Sequence, residues 1–192
     1  MTDSVGVCTI FDHIKEYGLE CIEMEYKFGK VSKAFFDRVY QYVTSSECDA
    51  TYAISSSTRN EFNGTDARRE YYADGTYRTV YKKRIENVLL TGPVRFCVSI
   101  EREGQDDTSA PYTMYRTKHR DTFSLLDGAI KVDMTRLETN DDRFSDADDY
   151  VYEIELEIDT ACQTVLYYPL EYIIGTARDL ALKLHDIGSQ CK

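Results

Sequence analysis

The sequence predicts a mainly β protein of the α+β class, a closed eight-stranded antiparallel β-barrel with flanking helices. The first observation is an alternation of apolar and polar residues in Tyr- and Val-rich runs between residues 19 and 159. The second is the turn pairs that separate these runs, such as Asn63-Gly64 and Asp74-Gly75. Strands joined by such short turns pair antiparallel, and about eight of them are enough to close a sheet on itself.

Helical periodicity occurs near the beginning and at the end of the chain. Apolar residues recur every three or four positions in residues 10–17 and again in residues 36–43, where Ser32 is the expected N-cap. The most regular pattern covers residues 168–187, with Pro169 suited to the first helical position. These three segments are the expected flanking helices.

Eight strands are predicted between the helices, and Gly92-Pro93, Gly104 and Asp127-Gly128 add to the turns that divide them. No Ser/Pro-rich linker or repeat interrupts the chain, so we expect a single domain over residues 1–192. The predicted strands cover residues 19–28, 50–58, 67–73, 77–90, 94–102, 112–126, 129–137 and 150–159.

Composition excludes several classes of protein. The chain has 34 acidic and 23 basic residues in 192, a net charge of −11 and 42% hydrophobic residues. No apolar stretch is long enough to cross a bilayer, so no membrane partner is expected. The six cysteines lie far apart without a Cys-x-x-Cys pair, which favours free thiols in a reducing intracellular compartment.

Acidic residues share one face of the first and of the last predicted strand. Because alternate residues of a strand point the same way, Glu23 and Glu25 lie on the face opposite Met24 and Tyr26. The last strand repeats this arrangement with three carboxylates, Glu153, Glu155 and Glu157. A single polar face of this kind is usually a solvated surface. Carboxylates aligned on two strands repel one another, however, and this repulsion calls for a cation such as Mg²⁺ or Mn²⁺.

Basic residues align in the same way on a central strand. Arg116, Lys118 and Arg120 share one face, and Asp133 and Thr135 share a face of the next strand. Three aligned cations repel one another unless a polyanion binds between them. The arginine guanidinium forms bidentate hydrogen bonds with phosphate, which favours a phosphate ligand. The sequence therefore predicts a barrel with a charged interior that holds a metal ion and a phosphate chain, while its apolar outer face is covered by helices.

Other kinds of catalytic site find no support in the sequence. The three histidines lack metal-ligand spacing, and no Gly-x-x-x-x-Gly-Lys-Ser/Thr loop is present. No serine or cysteine lies in a recognisable nucleophile motif, which leaves water as the attacking group.

Five segments carry a resemblance to a known family. They are, in order, IEMEYKFG, YKKRIENVLL, VRFCVSIE, RTKHRDTFSLLDGAIKVDMTRL and YEIELEID. The sequence resembles the fungal and viral metal-dependent mRNA 5′-triphosphatases, which are triphosphate tunnel metalloenzymes. The resemblance extends from residue 19 to about residue 159. In length and acidity the chain looks closest to the small stand-alone members from chlorella viruses.

The resemblance implies a role for each matching residue. Three carboxylates resemble the direct ligands of the catalytic Mg²⁺ or Mn²⁺: Glu23, Glu25 and Glu157. Five cations resemble the residues that bind the phosphates: Arg69, Lys83, Arg116, Lys118 and Arg120. In place of Arg69, the phosphate contact has two alternatives, Arg68 and Arg78. Two carboxylates are candidates for orienting the attacking water, Glu101 and Glu155. The supporting positions match Lys27, Phe28, Asp133, Thr135 and Glu153.

The implied activity is hydrolysis of the γ-phosphate from triphosphate-terminated RNA in mRNA capping, with manganese-dependent cleavage of nucleoside triphosphates as a side activity. A separate guanylyltransferase is a further candidate partner, and a monomer is expected. Two alternatives stay open. One is a thiamine-triphosphatase or inorganic tripolyphosphatase of the same tunnel fold, and the other is a non-catalytic barrel that binds an anion or a partner protein.

Overall fold

The barrel is built from strands that neighbour each other in the order β1-β5-β4-β3-β2-β6-β7-β8 and then return to β1. The computed structural model describes residues 4–63, 67–105, 111–140 and 150–190, and within these ranges every neighbouring pair is antiparallel. The strands are β1 Ile22–Val31, β2 Thr51–Phe62, β3 Ala67–Tyr71, β4 Tyr77–Thr91, β5 Val94–Gly104, β6 Met114–Leu125, β7 Ile130–Thr139 and β8 Val151–Ile158. The predicted closed antiparallel barrel is confirmed.

The apolar faces of the strands point away from the barrel axis. On β1, Met24 and Phe28 are fully buried in the hydrophobic core, while Glu25 on the opposite face lines the interior. On β8, Ile154 and Leu156 are buried in the same core. The core therefore lies between the barrel wall and the helices, and the inside of the barrel is left to polar side chains.

Helices cover one side of the barrel. In the described residues they are α1 Ser4–Tyr17, α2 Lys33–Val43 and α3 Leu170–Ser189, and they pack on β1, β5 and β8. Ser32 caps α2 as predicted, because its hydroxyl accepts a hydrogen bond from the Phe35 amide at 3.2 Å. Pro169 is the N-cap of α3 and so lies one position before the predicted place. None of the described helices has the length and apolar character needed to cross a membrane.

Gly188→Ala is expected to destabilise the protein, although alanine normally favours a helix by about 1 kcal/mol over glycine. A Cβ at Gly188 would lie 2.3 Å from Phe35 Cζ, in the contact between α3 and α2. The Phe35 ring packs against Phe28 with 5.9 Å between ring centroids, so it has little room to move. We expect a loss of about 1–3 kcal/mol in the free energy of unfolding, measured by urea denaturation.

Gly175→Ala is the matched control in the same helix. A Cβ at Gly175 meets no atom within 4 Å, so only the gain in helix propensity remains. We expect this variant to be as stable as the wild type or more stable. Equal effects of the two substitutions would show that Phe35 does not limit the approach of α3.

Candidate active site

The barrel encloses a cavity of about 420 Å³ whose walls are almost entirely charged or polar. Side chains from β1, β5, β6 and β8 reach it because alternate residues of each strand point inward. Nine of the residues that the sequence singled out line this cavity: Glu23, Glu25, Lys27, Glu101, Arg116, Lys118, Arg120, Glu155 and Glu157. The face assignments made for β1, β6 and β8 are therefore correct for these residues.

The candidate metal ligands lie together on β1 and β8. Glu25 and Glu157 are cross-strand neighbours, and Glu23 lies two residues before Glu25 on the same face. Burial, together with the nearby carboxylates Glu155 and Glu23, raises the pKa of Glu25 to about 7. Burial, together with Glu23 and Asp133, raises the pKa of Glu157 to about 7. The free protein thus holds a group of carboxylates whose negative charge is incompletely balanced.

These carboxylates are of the kind that binds a divalent cation, although their oxygens are not already arranged around a common metal position. Within the described ranges, no three His, Cys, Asp or Glu side chains are already arranged around a metal position. Glu25 Oε1 is buried and has no hydrogen-bond partner, and the Lys82 ammonium lies 3.8 Å away. Hard carboxylate oxygens and an unsatisfied buried acceptor are what Mg²⁺ or Mn²⁺ uses.

Lys82 is the nearest positive charge to this group. Its ammonium donates a hydrogen bond to Glu23 and lies 3.3 Å from Glu101 Oε1. These carboxylates keep the pKa of Lys82 raised, although burial acts against it. A lysine that reaches three carboxylates on two strands is a partial counter-ion for them, and the sequence analysis did not find it.

Arg120 is held in place by groups from β7 and β8. Its Nη1 lies 2.6 Å from Asp133 Oδ2, and its Nη2 donates to Glu155 Oε2 at 3.1 Å. Its Nε donates to Thr135 Oγ1 at 3.3 Å, and the Thr122 hydroxyl donates to Asp133 at 2.6 Å. Asp133 and Thr135, two of the predicted supporting residues, therefore position the Arg120 guanidinium.

Glu155 is the centre of the cation network. Besides Arg120, the Lys27 ammonium donates a hydrogen bond to it. Although burial acts in the opposite direction, Lys27, Lys118 and Arg120 hold the pKa of Glu155 well below its usual range. Glu153, another of the predicted supporting residues, is buried on the same strand and favours the charge of Lys27. Glu155 is thus a weakly basic carboxylate that fixes cations in place.

Lys118 differs from its neighbours because its charge is poorly compensated. Among the residues that the structure describes, no carboxylate forms an ion pair with its ammonium. Burial lowers the pKa of Lys118 and the cations Arg120 and Lys27 add to this effect, whereas Glu155 acts against it. A desolvated ammonium that faces a cavity is a ready binding group for an anion.

A second charged group lies where β3, β4 and β5 meet. Arg68 Nε donates to Glu70 Oε1 at 2.7 Å, and its Nη2 donates to Glu101 Oε1 at 3.0 Å. Arg78 Nε donates to the other oxygen of Glu70 at 2.9 Å. Glu70 is absent from the predicted site, since one carboxylate in a short strand carries no pattern of its own. Its role becomes visible only when the strands are paired.

The structure corrects two of the predicted phosphate-binding residues. Lys83 does not line the cavity, because Lys82 and Arg84 occupy the inward positions of β4 on either side of it. Arg69 likewise points outward, and its guanidinium lies 4.2 Å from the centre of the Tyr112 ring. The two alternatives to Arg69, Arg68 and Arg78, both line the cavity. Phe28 lies on the core face of β1, as a packing residue should.

Comparison with known proteins agrees with the fold. The S. pombe Pct1 RNA triphosphatase superimposes with a TM-score of 0.69 at 15% identity, covering 100% of this chain and 94% of that chain. The Mimivirus capping enzyme triphosphatase superimposes with a TM-score of 0.62 at 15% identity, covering 97% of this chain and 99% of that one. A second Pct1 structure, in complex with the Spt5 CTD, has a TM-score of 0.69 at 15% identity, covering 95% of this chain and 93% of that one. No curated protein sequence gives a significant match.

A family model for the mRNA capping enzyme, beta chain, matches residues 30–166. The match contains the basic strand β6 and the acidic strand β8, whereas Glu23 and Glu25 lie just before it. It covers well over half of the chain. The chain therefore belongs to the mRNA capping enzyme beta-chain family, whose fold is the triphosphate tunnel.

Proposed function

We propose that this chain hydrolyses the β–γ phosphoanhydride at the 5′ end of triphosphate-terminated RNA, leaving a diphosphate end and inorganic phosphate, as a step of mRNA capping. The observation that carries the proposal is that one cavity holds both a cation without an ion pair and carboxylates whose negative charge is incompletely balanced. Lys118 is a cation without an ion pair among the described residues, while Glu25 and Glu157 are carboxylates that burial drives toward protonation. A triphosphate bound with a divalent cation satisfies both.

The cations of β4 and β6 are suited to hold the phosphates and to neutralise the charge that develops on them. Arg120 is prepositioned by Asp133 and Glu155, so it does not reorganise during the reaction. Arg116 and Lys118 continue the row along the cavity wall, and Lys82 and Arg84 face them from β4. Positioning and charge neutralisation are the main requirements of phosphoryl transfer.

Glu101 is our choice for the group that orients the attacking water. Glu155, the other candidate, is committed to Lys27 and Arg120, and its pKa lies well below the usual range. Glu101 is linked to the carboxylates of β1 through Lys82, which contacts both Glu101 and Glu23. Arg68 holds the Glu101 carboxylate from β3 and fixes its orientation.

Glu23, Glu25 and Glu157 are the residues that would hold Mg²⁺ or Mn²⁺, which would supply Lewis-acid charge at the γ-phosphate. In this proposal the cavity contacts only the phosphates of the substrate and not its base. Nucleoside triphosphates are therefore proposed as secondary substrates. We also propose that the protein is a monomer in a reducing compartment. A separate guanylyltransferase is the proposed partner, and co-purification with that enzyme tests it. Its free thiols at Cys21, Cys48, Cys97 and Cys162 support the choice of compartment.

Phosphate release from γ-labelled triphosphate RNA, with Mg²⁺, with Mn²⁺ and with chelator, tests the proposed function. ATP, thiamine triphosphate and tripolyphosphate serve as parallel substrates. We expect RNA to have the highest kcat/KM and the chelator to abolish release. Preference for tripolyphosphate or thiamine triphosphate would identify the protein as a tripolyphosphatase or thiamine-triphosphatase of the same fold. If no substrate releases phosphate, the result would favour the non-catalytic barrel that binds an anion or a partner protein.

Lys82→Met is expected to lower phosphate release by about 10–100-fold, because it removes an interior cation near three carboxylates. Lys83→Met is the control, because it removes the same charge from the outward face of β4. We expect this second variant to retain release within about twofold. Initial rates under saturating and limiting RNA separate kcat from KM. A larger effect at Lys83 would contradict the assignment of the inward face.

A further inference from the structure

A row of aromatic and guanidinium groups crosses the outer wall of the barrel on the side opposite the helices. The helices pack on β1, β5 and β8, whereas β3 is four strands away from β8 in either direction around the barrel. Tyr40 of α2 reaches Phe123 near the end of β6, but among the described residues the helices pack mainly away from the outward side chains of β2, β3 and β4. We call the following four side chains the outer row: Tyr115, Arg59, Tyr71 and Tyr77.

Contacts within the outer row are continuous from strand to strand. The Arg59 guanidinium lies 4.4 Å from the centre of the Tyr115 ring. Arg59 is the cross-strand neighbour of Tyr71, and Tyr71 is that of Tyr77. The rings of Tyr71 and Tyr77 lie 5.4 Å apart at an angle of 34°. With about 4.8 Å between strands, the row extends roughly 14 Å along the surface.

Arg69 adds a second cation beside the outer row. Its guanidinium lies 5.8 Å from the centre of the Tyr77 ring and 4.2 Å from that of Tyr112. Arg59 keeps half of its side chain exposed while its Nε lies 3.2 Å from Glu61. Tyr77 is 58% exposed. The Tyr77 ring and the Arg59 guanidinium are thus presented to solvent, where burial in a core does not account for them.

Single-stranded RNA is the ligand that this chemistry fits. Bases of any identity stack on tyrosine rings and on guanidinium planes, and arginine neutralises the phosphates between them. The whole protein carries a net charge of −11, whereas this surface offers two arginines among four tyrosines with Glu61 as the acid between them, so it favours RNA more than the net charge suggests. Double-stranded RNA would not expose its bases to such a row.

The outer row is continuous with the cavity through the hairpin that joins β3 to β4. Along this hairpin, Tyr72 and Arg78 line the cavity, whereas Tyr71 and Tyr77 beside them belong to the outer row. The Arg78 guanidinium lies 6.0 Å from the centre of the Tyr72 ring, which repeats the same pairing at the rim. A strand whose first nucleotide is at the cavity rim can therefore cross the hairpin and lie along the outer row.

We propose that the outer row, with Arg69, binds the RNA chain that follows the 5′-triphosphate. This rests on the proposed function, because only an RNA substrate continues beyond the cavity. The row would let the enzyme distinguish a nascent transcript from a free nucleoside triphosphate, since the interior contacts are the same for both. Its binding is independent of base sequence.

The experiment measures binding of a 3′-fluorescein single-stranded RNA of roughly 20 nucleotides with a 5′-hydroxyl, longer than the ~4–16 nucleotides that one small barrel covers. Tyr77→Ala is expected to weaken binding by about 5–100-fold, and Tyr77→Phe to preserve it. Arg59→Ala is expected to lower the slope of log affinity against log salt by about 0.7. Hydrolysis of ATP by each variant should stay within about twofold of the wild type.

Tyr167→Ala is the matched control, since Tyr167 is 81% exposed and precedes α3. The inference is overturned if Tyr77→Ala binds the RNA as tightly as this control, or if it slows ATP hydrolysis as much as it weakens RNA binding. Because the 5′-hydroxyl RNA is not a substrate, the result does not depend on catalysis. A protein that binds this RNA through the row but releases no phosphate from triphosphate RNA would refute the proposed function alone.

Discussion

Replacing Glu25 or Glu157 by glutamine is expected to lower phosphate release from triphosphate RNA by about 10²–10³-fold or more, with the barrel intact. The two residues are cross-strand neighbours inside the cavity, so each substitution removes a hard anionic ligand from the same place. Glutamine keeps the shape of the side chain. Neither substitution leaves an unpaired buried charge, and the fold should therefore tolerate both.

The loss is measured in two ways. Initial rates of phosphate release in Mg²⁺ and in Mn²⁺ report catalysis, and the shift of the melting temperature on adding either metal reports binding without turnover. We expect the wild type to be stabilised by metal and Glu25→Gln to show little or no shift. Glu171→Gln, in the first turn of α3, is the control and should behave as the wild type. A Glu25→Gln protein with normal turnover would remove these carboxylates from the reaction.

The faces of β1, β6 and β8 could be predicted because each strand alternates without interruption between charged and apolar residues. In β1, Ile22 and Met24 alternate with Glu23 and Glu25, and one side of this pattern must be the core. The apolar set fixes the orientation, and the charged set is then inside the barrel. A one-residue error would have buried every charge in the core.

The orientation of β4 could not be predicted from the same kind of pattern. Three cations follow one another from Lys82 to Arg84, so local charge does not indicate which of them points inward. The register of β4 against β5 also shifts between Arg84 and Glu86, which breaks the alternation at that point. The assignment of Lys83 to the cavity was wrong for these two physical reasons.

Ion pairs between distant strands are the other part of the site that the sequence withholds. Arg68 and Glu101 are separated by 33 positions, and their contact depends on the order in which β3, β4 and β5 lie around the barrel. Glu70 enters the site through the same geometry. Such a network follows from the pairing of β3 with β4 and of β4 with β5 rather than from any local signal.

Lys118→Met is expected to change stability and activity in opposite directions. The ammonium of Lys118 is desolvated in the cavity and lacks an ion pair among the described residues, so its replacement by an apolar chain of similar length removes a destabilising charge. We expect the free energy of unfolding at neutral pH to rise in this variant, as measured by urea denaturation. Phosphate release should fall by about 10²–10³-fold, because a group that binds the transferring phosphate is lost.

Lys27→Met is the matched comparison in the same cavity. Lys27 is paired with Glu155, and removal of its charge takes away one of the two ion pairs that this buried carboxylate forms among the described residues, the other being with Arg120. We expect this variant to lose about 3 kcal/mol of stability. Two lysines of one cavity should thus respond to the same substitution with opposite signs, and a common sign in urea denaturation would contradict the contrast in charge compensation.

The pH dependence supplies a further check on Lys118. Its pKa in the folded protein is lowered from 10.5, so the unfolded chain binds more protons than the folded one between the lowered pKa and 10.5. Wild-type stability therefore gains from Lys118 as pH rises through that range, and the advantage of Lys118→Met is largest at neutral pH and shrinks toward pH 10.5. Unfolding curves of both proteins from neutral to alkaline pH measure this difference. An advantage that grows with pH would mean that the Lys118 charge is compensated after all.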